Sequence, residues 1–182
     1  MGIRDEASRL LHEFKLLAVL EKHGKVYPTG SYQMNMMAHN DLDISIISRD
    51  NSAAGLFALA ADVYTMLKPY RYDGVCEPEK GKFFCGCETV ISGTRWNIDI
   101  WLRTDSEIAA AEEYCGRIMQ RVSEEPELAR VIVDIKTELI SLGMYGLDKD
   151  PDKHYHSGEI YTAVLDKGAR SCADFMNIFP LG

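Results

Sequence analysis

Two aspartates spaced two residues apart carry the clearest chemistry in this sequence. Asp41 and Asp43 alternate with Leu42, Ile44 and Ile46, and residues two apart on a strand project from the same face. Two adjacent carboxylates repel each other unless a cation lies between them, and a divalent cation with oxygen ligands is the usual solution. The spacing therefore predicts a metal-binding pair. The alternative is that both carboxylates form the solvent-exposed face of an amphipathic strand.

A third carboxylate occurs in the other segment of the chain that reads as a regular strand. Residues 95–102 place bulky apolar side chains at even positions and Asn97, Asp99 and Trp101 at odd positions. We expect Asp99 to lie on a strand next to the one that carries Asp41 and Asp43. Trp101 shares the face of Asp99, where an aromatic side chain can line a substrate pocket.

These residues form a recognisable combined pattern. Gly30 and Ser31 are followed by nine residues, then by the run from Asp41 to Ile44, and finally by Asp99. Over residues 25–102 the pattern resembles the nucleotidyltransferase superfamily related to DNA polymerase β. The run from His39 to Ile44 is also similar to a stretch of the small nucleotidyltransferases that act on lincosamides or aminoglycosides.

The resemblance implies a metal-dependent transfer of a nucleoside monophosphate. Asp41 and Asp43 would hold two magnesium ions that bridge the triphosphate, and Asp99 would contact the metal nearest the attacking hydroxyl and accept its proton. Gly30 and Ser31 would bind the phosphates, since glycine has no Cβ to obstruct them and a helix over residues 32–38 would favour an anion.

The same resemblance implies ATP or another nucleoside triphosphate as co-substrate, with AMP transferred and pyrophosphate released. The acceptor would be a hydroxyl of a small molecule or a protein. A second reading, from a different class, is a nucleotide-binding or scaffold module that keeps the fold and does no chemistry.

Two residues further along the chain are candidates for nucleotide binding. Lys136 lies on a helical stretch from which a cation can reach the triphosphate, although an exposed lysine paired with Asp134 or Glu138 is the simpler interpretation. Tyr155, between His154 and His156, can stack on a base. The alternative for this segment is a packed tyrosine beside a helix capped by Ser157.

Composition is compatible with a compact protein that acts on small substrates. The 182 residues are 46% apolar and carry a formal charge of −8. No long Lys/Arg run is present, so we do not expect a long nucleic-acid substrate. No apolar run reaches membrane-spanning length and no signal-peptide core precedes the first helix, while five cysteines form an odd set. These features predict reduced thiols and a cytoplasmic location, with no membrane association.

Periodicity predicts strands and helices in the first part of the chain and helices in the second. Together with the resemblance, it implies an α+β fold in which a mixed β-sheet nucleotidyltransferase core with helices is followed by a C-terminal helical bundle. We place the core at residues 1–104 and the helical region at 105–182. The predicted strands are 26–29, the segment around Asp41, 71–77, 82–91 and 95–102. The predicted helices are 5–22, 32–38, 53–67, 106–122, 126–142 and 157–178, the last interrupted near Gly168.

One acidic segment mimics a calcium-binding loop. Asp148, Asp150, Asp152 and Glu159 occupy ligand positions of such a loop. Lys153, however, stands where the loop requires a glycine. The sequence therefore favours an acidic loop between helices.

Overall fold

A computed structural model describes residues 2–146 and 154–181 and divides the chain into two compact units, Met1–Tyr114 and Cys115–Gly182. The division falls inside a helix, ten residues beyond the boundary expected at residue 104.

The elements are α1 Ile3–His12, α2 Leu16–Leu20, β1 Gly24–Pro28, α3 Gly30–Gln33, β2 Asp41–Ser48, α4 Ala53–Leu67, β3 Arg71–Glu77, β4 Lys82–Ile91, β5 Thr94–Arg103, α5 Asp105–Glu124, α6 Glu127–Ser141, α7 Ser157–Leu165 and α8 Cys172–Ile178, with a short 3₁₀ turn at Pro78–Lys80.

The first unit is built on a mixed five-stranded sheet in the order β1-β2-β5-β4-β3. β2 and β5 run parallel at the centre, and every other neighbouring pair is antiparallel. The β4–β5 hairpin closes through Ser92 and Gly93, both with positive φ. The sheet and its helices confirm the α+β class.

Strict alternation of side chains explains why this sheet has two different faces. The even-numbered residues Leu42, Ile44 and Ile46 of β2 and Ile98 and Ile100 of β5 are fully buried. They join one apolar core with residues of α1, α2 and α4. The odd-numbered residues of the same strands project from the opposite face, and this face carries the predicted site.

Two predicted helices are wrong in extent, and a left-handed residue explains each error. The helix expected over residues 5–22 is two helices, because Lys15 has a φ of 64° between α1 and α2. The helix expected over 32–38 is α3, which begins at Gly30 and ends at Gln33. Asn35 has a φ of 57°, a conformation that cannot continue a right-handed helix.

The second unit contains the end of α5 together with α6, α7 and α8. Its interior includes Ile132, Ile135, Leu139, Ile160 and Phe175, each at most 1% exposed. The acidic residues Asp148, Asp150 and Asp152 lie outside the described residues. Within the described part of the chain, no helix is both long and apolar enough to cross a bilayer.

Candidate active site

The register of the two central strands brings the predicted carboxylates together. Asp43 on β2 pairs with Asp99 on β5, and Asp41 pairs with Asn97 one repeat earlier. Because paired residues of neighbouring strands share a face, all four side chains project to the same side of the sheet. The separation between such strands is about 4.8 Å, so the carboxylates of Asp43 and Asp99 are neighbours.

Asn97 links two of the carboxylates by hydrogen bonds that the strand pattern alone does not predict. Its side-chain amide donates to Oδ1 of Asp41 at 2.7 Å. A hydrogen bond between the Asn97 side chain and Asp99 lowers the pKa of that carboxyl in part. On the other side of Asp41, Nε2 of His39 lies 3.5 Å from Oδ2. The orientation of the Asp41 carboxylate is therefore set by neighbours on two sides.

Asp99 holds its proton more tightly than an ordinary aspartate does. Burial is the main reason that its pKa rises from 3.8 to about 6, and the negative charges of Asp41 and Asp73 add to the effect. Burial, with a smaller contribution from these charges, thus favours the neutral form of Asp99.

Gly30 brings the backbone of α3 against the Asp43 carboxylate. A Cβ at Gly30 would lie 2.6 Å from Oδ2 of Asp43, and the residue has a φ of +62°. The preceding residue, Thr29, donates its backbone N–H to the Asp43 carbonyl at 2.9 Å. Ser31 follows directly in α3, so the Gly-Ser pair lies beside Asp43. In the same turn, Oε1 of Gln33 is buried and has no hydrogen-bond partner among the described residues.

On the other side of Asp99, a second glycine allows the Phe84 ring to lie close to the carboxylate. Gly86 on β4 pairs with Asp99. A Cβ there would lie 2.7 Å from the Phe84 ring and 3.1 Å from Oδ1 of Asp99. Phe84 in turn packs against Trp101, with ring centroids 4.4 Å apart. The Asp99 carboxylate is thus bordered by Asp43 on one side. On the other side lies Gly86, with the Phe84 ring in the place that a Cβ would take.

The donor chemistry of this face fits magnesium, although the ligands are not gathered around one point. Three carboxylates on adjacent strands are the hard oxygen donors that magnesium prefers. The negative charge of Asp41 contributes to the raised pKa of Asp99, after burial, which is the larger cause. Within residues 2–146 and 154–181, however, no group of three His, Cys, Asp or Glu residues is spaced to hold a metal ion as it stands. The three carboxylates would have to reorient for all of them to bind one ion.

The two candidates of the second unit are engaged in its interior. Lys136 is 1% exposed, so the exposed lysine considered from the sequence is wrong. Its Nζ donates to the Tyr161 hydroxyl at 2.8 Å. Tyr155 is 2% exposed and its hydroxyl donates to the Phe179 carbonyl at 2.6 Å, which matches the packed-tyrosine alternative.

The helix expected to be capped by Ser157 begins at Ser157 itself. His156 is the N-cap, and its N–H donates to the Glu159 carboxylate at 2.8 Å. Roles for Lys136 and Tyr155 at a nucleotide remain predictions.

Comparison with known proteins agrees with the fold. No family model matches the chain, and no curated protein matches its sequence. The chain is similar in structure to a poly(A) polymerase complex of GLD-2 with GLD-3, with a TM-score of 0.65 and 10% identity. It is also similar to the Cid1 poly(U) polymerase bound to magnesium and 3′-dATP, with a TM-score of 0.53 and 12% identity.

In both comparisons, the matched part makes up a larger share of this chain than of the comparison structure. The first match covers 98% of this chain and 58% of the GLD-2 structure. The second covers 73% of this chain and 40% of the Cid1 structure. The chain thus shares its fold with these polymerase structures and spans less than two thirds of their length.

Proposed function

We propose that this protein is a magnesium-dependent nucleotidyltransferase that moves a nucleoside monophosphate, AMP in the first instance, from a nucleoside triphosphate to a hydroxyl. One observation carries the proposal: Asp43 and Asp99 pair across parallel strands, with Asp41 on the same face and the Gly30 backbone against the Asp43 carboxylate. The nucleotidyltransferase-like fold supports this reading.

In this proposal, residues of the first unit have distinct roles. Asp41 and Asp43 hold the metal ions, and Ser31 with the backbone at Gly30 binds oxygens of the triphosphate. Bound magnesium neutralises charge on the triphosphate and polarises the α-phosphoryl group. Asp99 lies on the far side of Asp43 from β1, where it orients the attacking hydroxyl and accepts its proton.

The reaction exchanges one phosphorus–oxygen bond for another. The acceptor oxygen forms a bond to the α-phosphorus while the bond to the bridging oxygen breaks, and pyrophosphate leaves. The acceptor proton passes to the Asp99 carboxylate. Burial raises the pKa of Asp99 to about 6 in the metal-free protein, and a carboxylate is a usual proton acceptor for a step of this kind.

Charge supports a small molecule or a protein as acceptor. The chain carries a formal charge of −8, which weakens the attraction for a polyanion. We assign the nucleotide chemistry to Asp41, Asp43 and Asp99 in the first unit. We also propose a cytoplasmic location. The comparison structures are described as poly(A) and poly(U) polymerases, so an oligoribonucleotide acceptor belongs in the test.

The proposal is tested by incubating the protein with magnesium and ATP labelled at the α-phosphate. Small hydroxylated molecules, a cell-extract protein fraction and an oligoribonucleotide are supplied separately as acceptors. Transfer of label in the wild type, and none in Asp43→Asn, supports the assignment. Magnesium-dependent ATP binding without transfer to any acceptor would favour the catalytically silent nucleotide-binding module instead.

A further inference from the structure

One edge of the sheet, the strand β3, is open to pairing with another strand. β3 lies at the end of the strand order and, among the described residues, pairs with β4 alone. Its residues from Arg71 to Gly74 are exposed, and the strand contains neither proline nor lysine. These are residues that commonly block an exposed edge, and the opposite edge strand, β1, has both in Lys25 and Pro28.

The backbone groups of the even-numbered residues of β3 point away from β4. The carbonyl of Glu88 on β4 accepts a hydrogen bond from the Tyr70 N–H at 3.0 Å, so it faces β3 where Glu88 pairs with Arg71. Because bonded and non-bonded pairs alternate along an antiparallel ladder, the odd-numbered residues of β3 bond to β4 and the even-numbered residues face outward. The N–H of Gly74 donates to the Asp73 carboxylate at 2.8 Å, which agrees with this direction.

α4 presents aromatic side chains toward the same edge. Oδ2 of Asp62 lies 3.0 Å from Nε2 of His23, which directly precedes β1 at the other end of the sheet. At about 100° per residue, Phe57 and Tyr64 lie about 140° and 160° around the helix from Asp62, so they project away from β1 and toward β3. They are 64% and 57% exposed, and Tyr72 of β3 is 43% exposed.

The sequence of β3 is complementary in charge to a second copy of itself. When two copies lie antiparallel about a two-fold axis at Gly74, the whole strand pairs and Arg71 of each copy lies opposite Glu77 of the other. Even-numbered residues then pair with even-numbered residues, so the outward-facing backbone groups of both copies meet. A slip of two residues would place Asp73 opposite Asp73 in one direction and opposite Glu77 in the other, and like charges directly opposite are destabilising.

The ion pairs within each chain are compatible with this arrangement. Arg71 bonds to Glu88 at 2.9 Å, and Glu77 bonds to Lys80 at 3.1 Å. The side chains of Arg71 and Lys80 are 62% and 66% exposed, so both pairs are open to a further partner. Across the junction, the order Glu88, Arg71, Glu77 of the other copy and Lys80 of the other copy alternates in sign. Such a network contributes more than an isolated surface pair does.

We propose that the protein forms a homodimer in which β3 pairs with β3 of a second copy, joining the two sheets into one antiparallel junction. Phe57 and Tyr64 of both α4 helices flank this junction on the core side of the sheets. With Tyr72, these rings expose roughly 300 Å² per molecule, a substantial share of the ~800 Å² that each partner buries in a standard interface. The exposed strand adds to that area. The dimer does not depend on the nucleotide chemistry.

The dimer is tested by sedimentation equilibrium of the full chain at about 1 to 300 μM. A reducing agent is included, so that the exposed Cys76 cannot form a disulfide between chains. We expect a concentration-dependent equilibrium between monomer and dimer. A protein that stays monomeric over this range would overturn the inference and leave the edge to a different partner.

Charge reversal tests the register. Arg71→Glu and Glu77→Arg each bring like charges opposite each other at both ends of the junction, so each variant alone should dimerise at least about tenfold more weakly. An equimolar mixture of the two variants should recover the dimer, because opposite charges again face each other. Thermal unfolding in dilute solution verifies that each variant is folded. No recovery in the mixture, or equal dimerisation of all samples, would overturn the proposed junction.

The α4 aromatic residues are tested against an exposed phenylalanine elsewhere. Phe57→Gln and Tyr64→Gln should each weaken dimerisation at least about fivefold, because each loses apolar surface at the junction. Phe14→Gln is the matched control, since Phe14 is 42% exposed and lies between α1 and α2. It should leave dimerisation unchanged. Equal dimerisation of the three variants would overturn the assignment of α4 to the interface.

Discussion

Asn97 donates a 2.7 Å hydrogen bond from its side-chain amide to Oδ1 of Asp41. The two residues pair across the parallel strands β2 and β5. A hydrogen bond of this kind fixes the direction in which a metal ligand presents its lone pairs. Asn97 thus holds one side of the Asp41 carboxylate, opposite His39.

Replacing Asn97 should impair magnesium use more than protein stability. In Asn97→Ala we expect the magnesium concentration for half-maximal rate to rise about 10- to 100-fold, the usual effect of losing a partner of a metal ligand. The measurement is transfer rate as a function of magnesium at saturating ATP. Asn40→Ala is the matched control, because the Asn40 amide donates to the Arg95 carbonyl at 3.1 Å and contacts no carboxylate of the site through that bond. Equal magnesium dependence in the two variants would contradict the positioning role.

The sheet was the most predictable part of this protein, because a period of two is a strong local signal. The strands at Arg71–Glu77 and Lys82–Ile91 and the helix at Ala53–Leu67 match their predicted bounds. The helix breaks at Lys15 and Asn35 were missed, since a single left-handed residue leaves little trace in apolar periodicity.

The chemistry-bearing residues were less completely predictable than the strands. Asp41, Asp43 and Asp99 were found because their spacing is local, whereas the opposition of Asp99 to Gly86 and of Asn97 to Asp41 depends on strand register. The spacing of apolar residues in α6 does indicate that Lys136 is buried. Residues 132, 135, 136 and 139 follow the helical repeat of a buried face, so Lys136 lies on the apolar stripe of α6.

The metal-binding pair makes the most direct prediction. Asp41→Asn and Asp43→Asn remove a charge and preserve shape, so each should lower the transfer rate at least about a hundredfold while the fold remains intact. Asp73→Asn is the control, because Asp73 lies level with Asp99 on the edge strand β3 but is not assigned to the metal. Steady-state kinetics and thermal unfolding are measured in parallel. Full activity in both single variants would remove the central assignment.

The Gly30 site predicts a steric effect that can be separated from backbone strain. Gly30 and Gly81 both have a φ of +62°, but a Cβ at Gly30 would meet the Asp43 carboxylate at 2.6 Å while one at Gly81 would meet nothing within 4 Å. Gly30→Ala should therefore abolish magnesium-ATP binding by calorimetry, with Gly30→Val worse still. Gly81→Ala should cost only stability. Similar ATP affinity in both alanine variants would separate Gly30 from the nucleotide.

Ser31 should contribute to the same binding step by a smaller amount. Loss of one hydrogen bond to a charged phosphate oxygen is expected to weaken magnesium-ATP binding by about 1 to 2 kcal/mol in Ser31→Ala. Calorimetric titration measures the change, and Ser31→Thr, which retains a hydroxyl, should recover part of it. An unchanged affinity in Ser31→Ala would place the phosphates elsewhere.

Asp99 should make the metal-free protein less stable as the pH rises. Its pKa is about 6 in the folded protein against an ordinary value of 3.8, so the folded state binds the proton more tightly than the unfolded chain does. Protonation therefore stabilises the fold, and this contribution is complete below about pH 4 and is lost as the pH rises through about 6. In EDTA, Asp99→Asn should gain stability relative to the wild type over that interval. Unfolding by urea between pH 4 and pH 8 measures the difference.

Magnesium should reduce that difference, and ATP should separate the roles of the three carboxylates. A cation favours the ionised form of Asp99, so magnesium at pH 7 should raise the unfolding temperature of the wild type more than that of Asp99→Asn.

Because Asp41, Asp43 and the Gly-Ser pair still hold the triphosphate, Asp99→Asn should keep much of its magnesium-ATP affinity and lose turnover, whereas Asp41→Asn and Asp43→Asn should lose both. If the free energy of unfolding changed with pH equally in the wild type and in Asp99→Asn, the raised pKa of Asp99 would be contradicted. Normal turnover in Asp99→Asn, or a loss of ATP binding as complete as in the other two variants, would contradict its assignment to the acceptor hydroxyl.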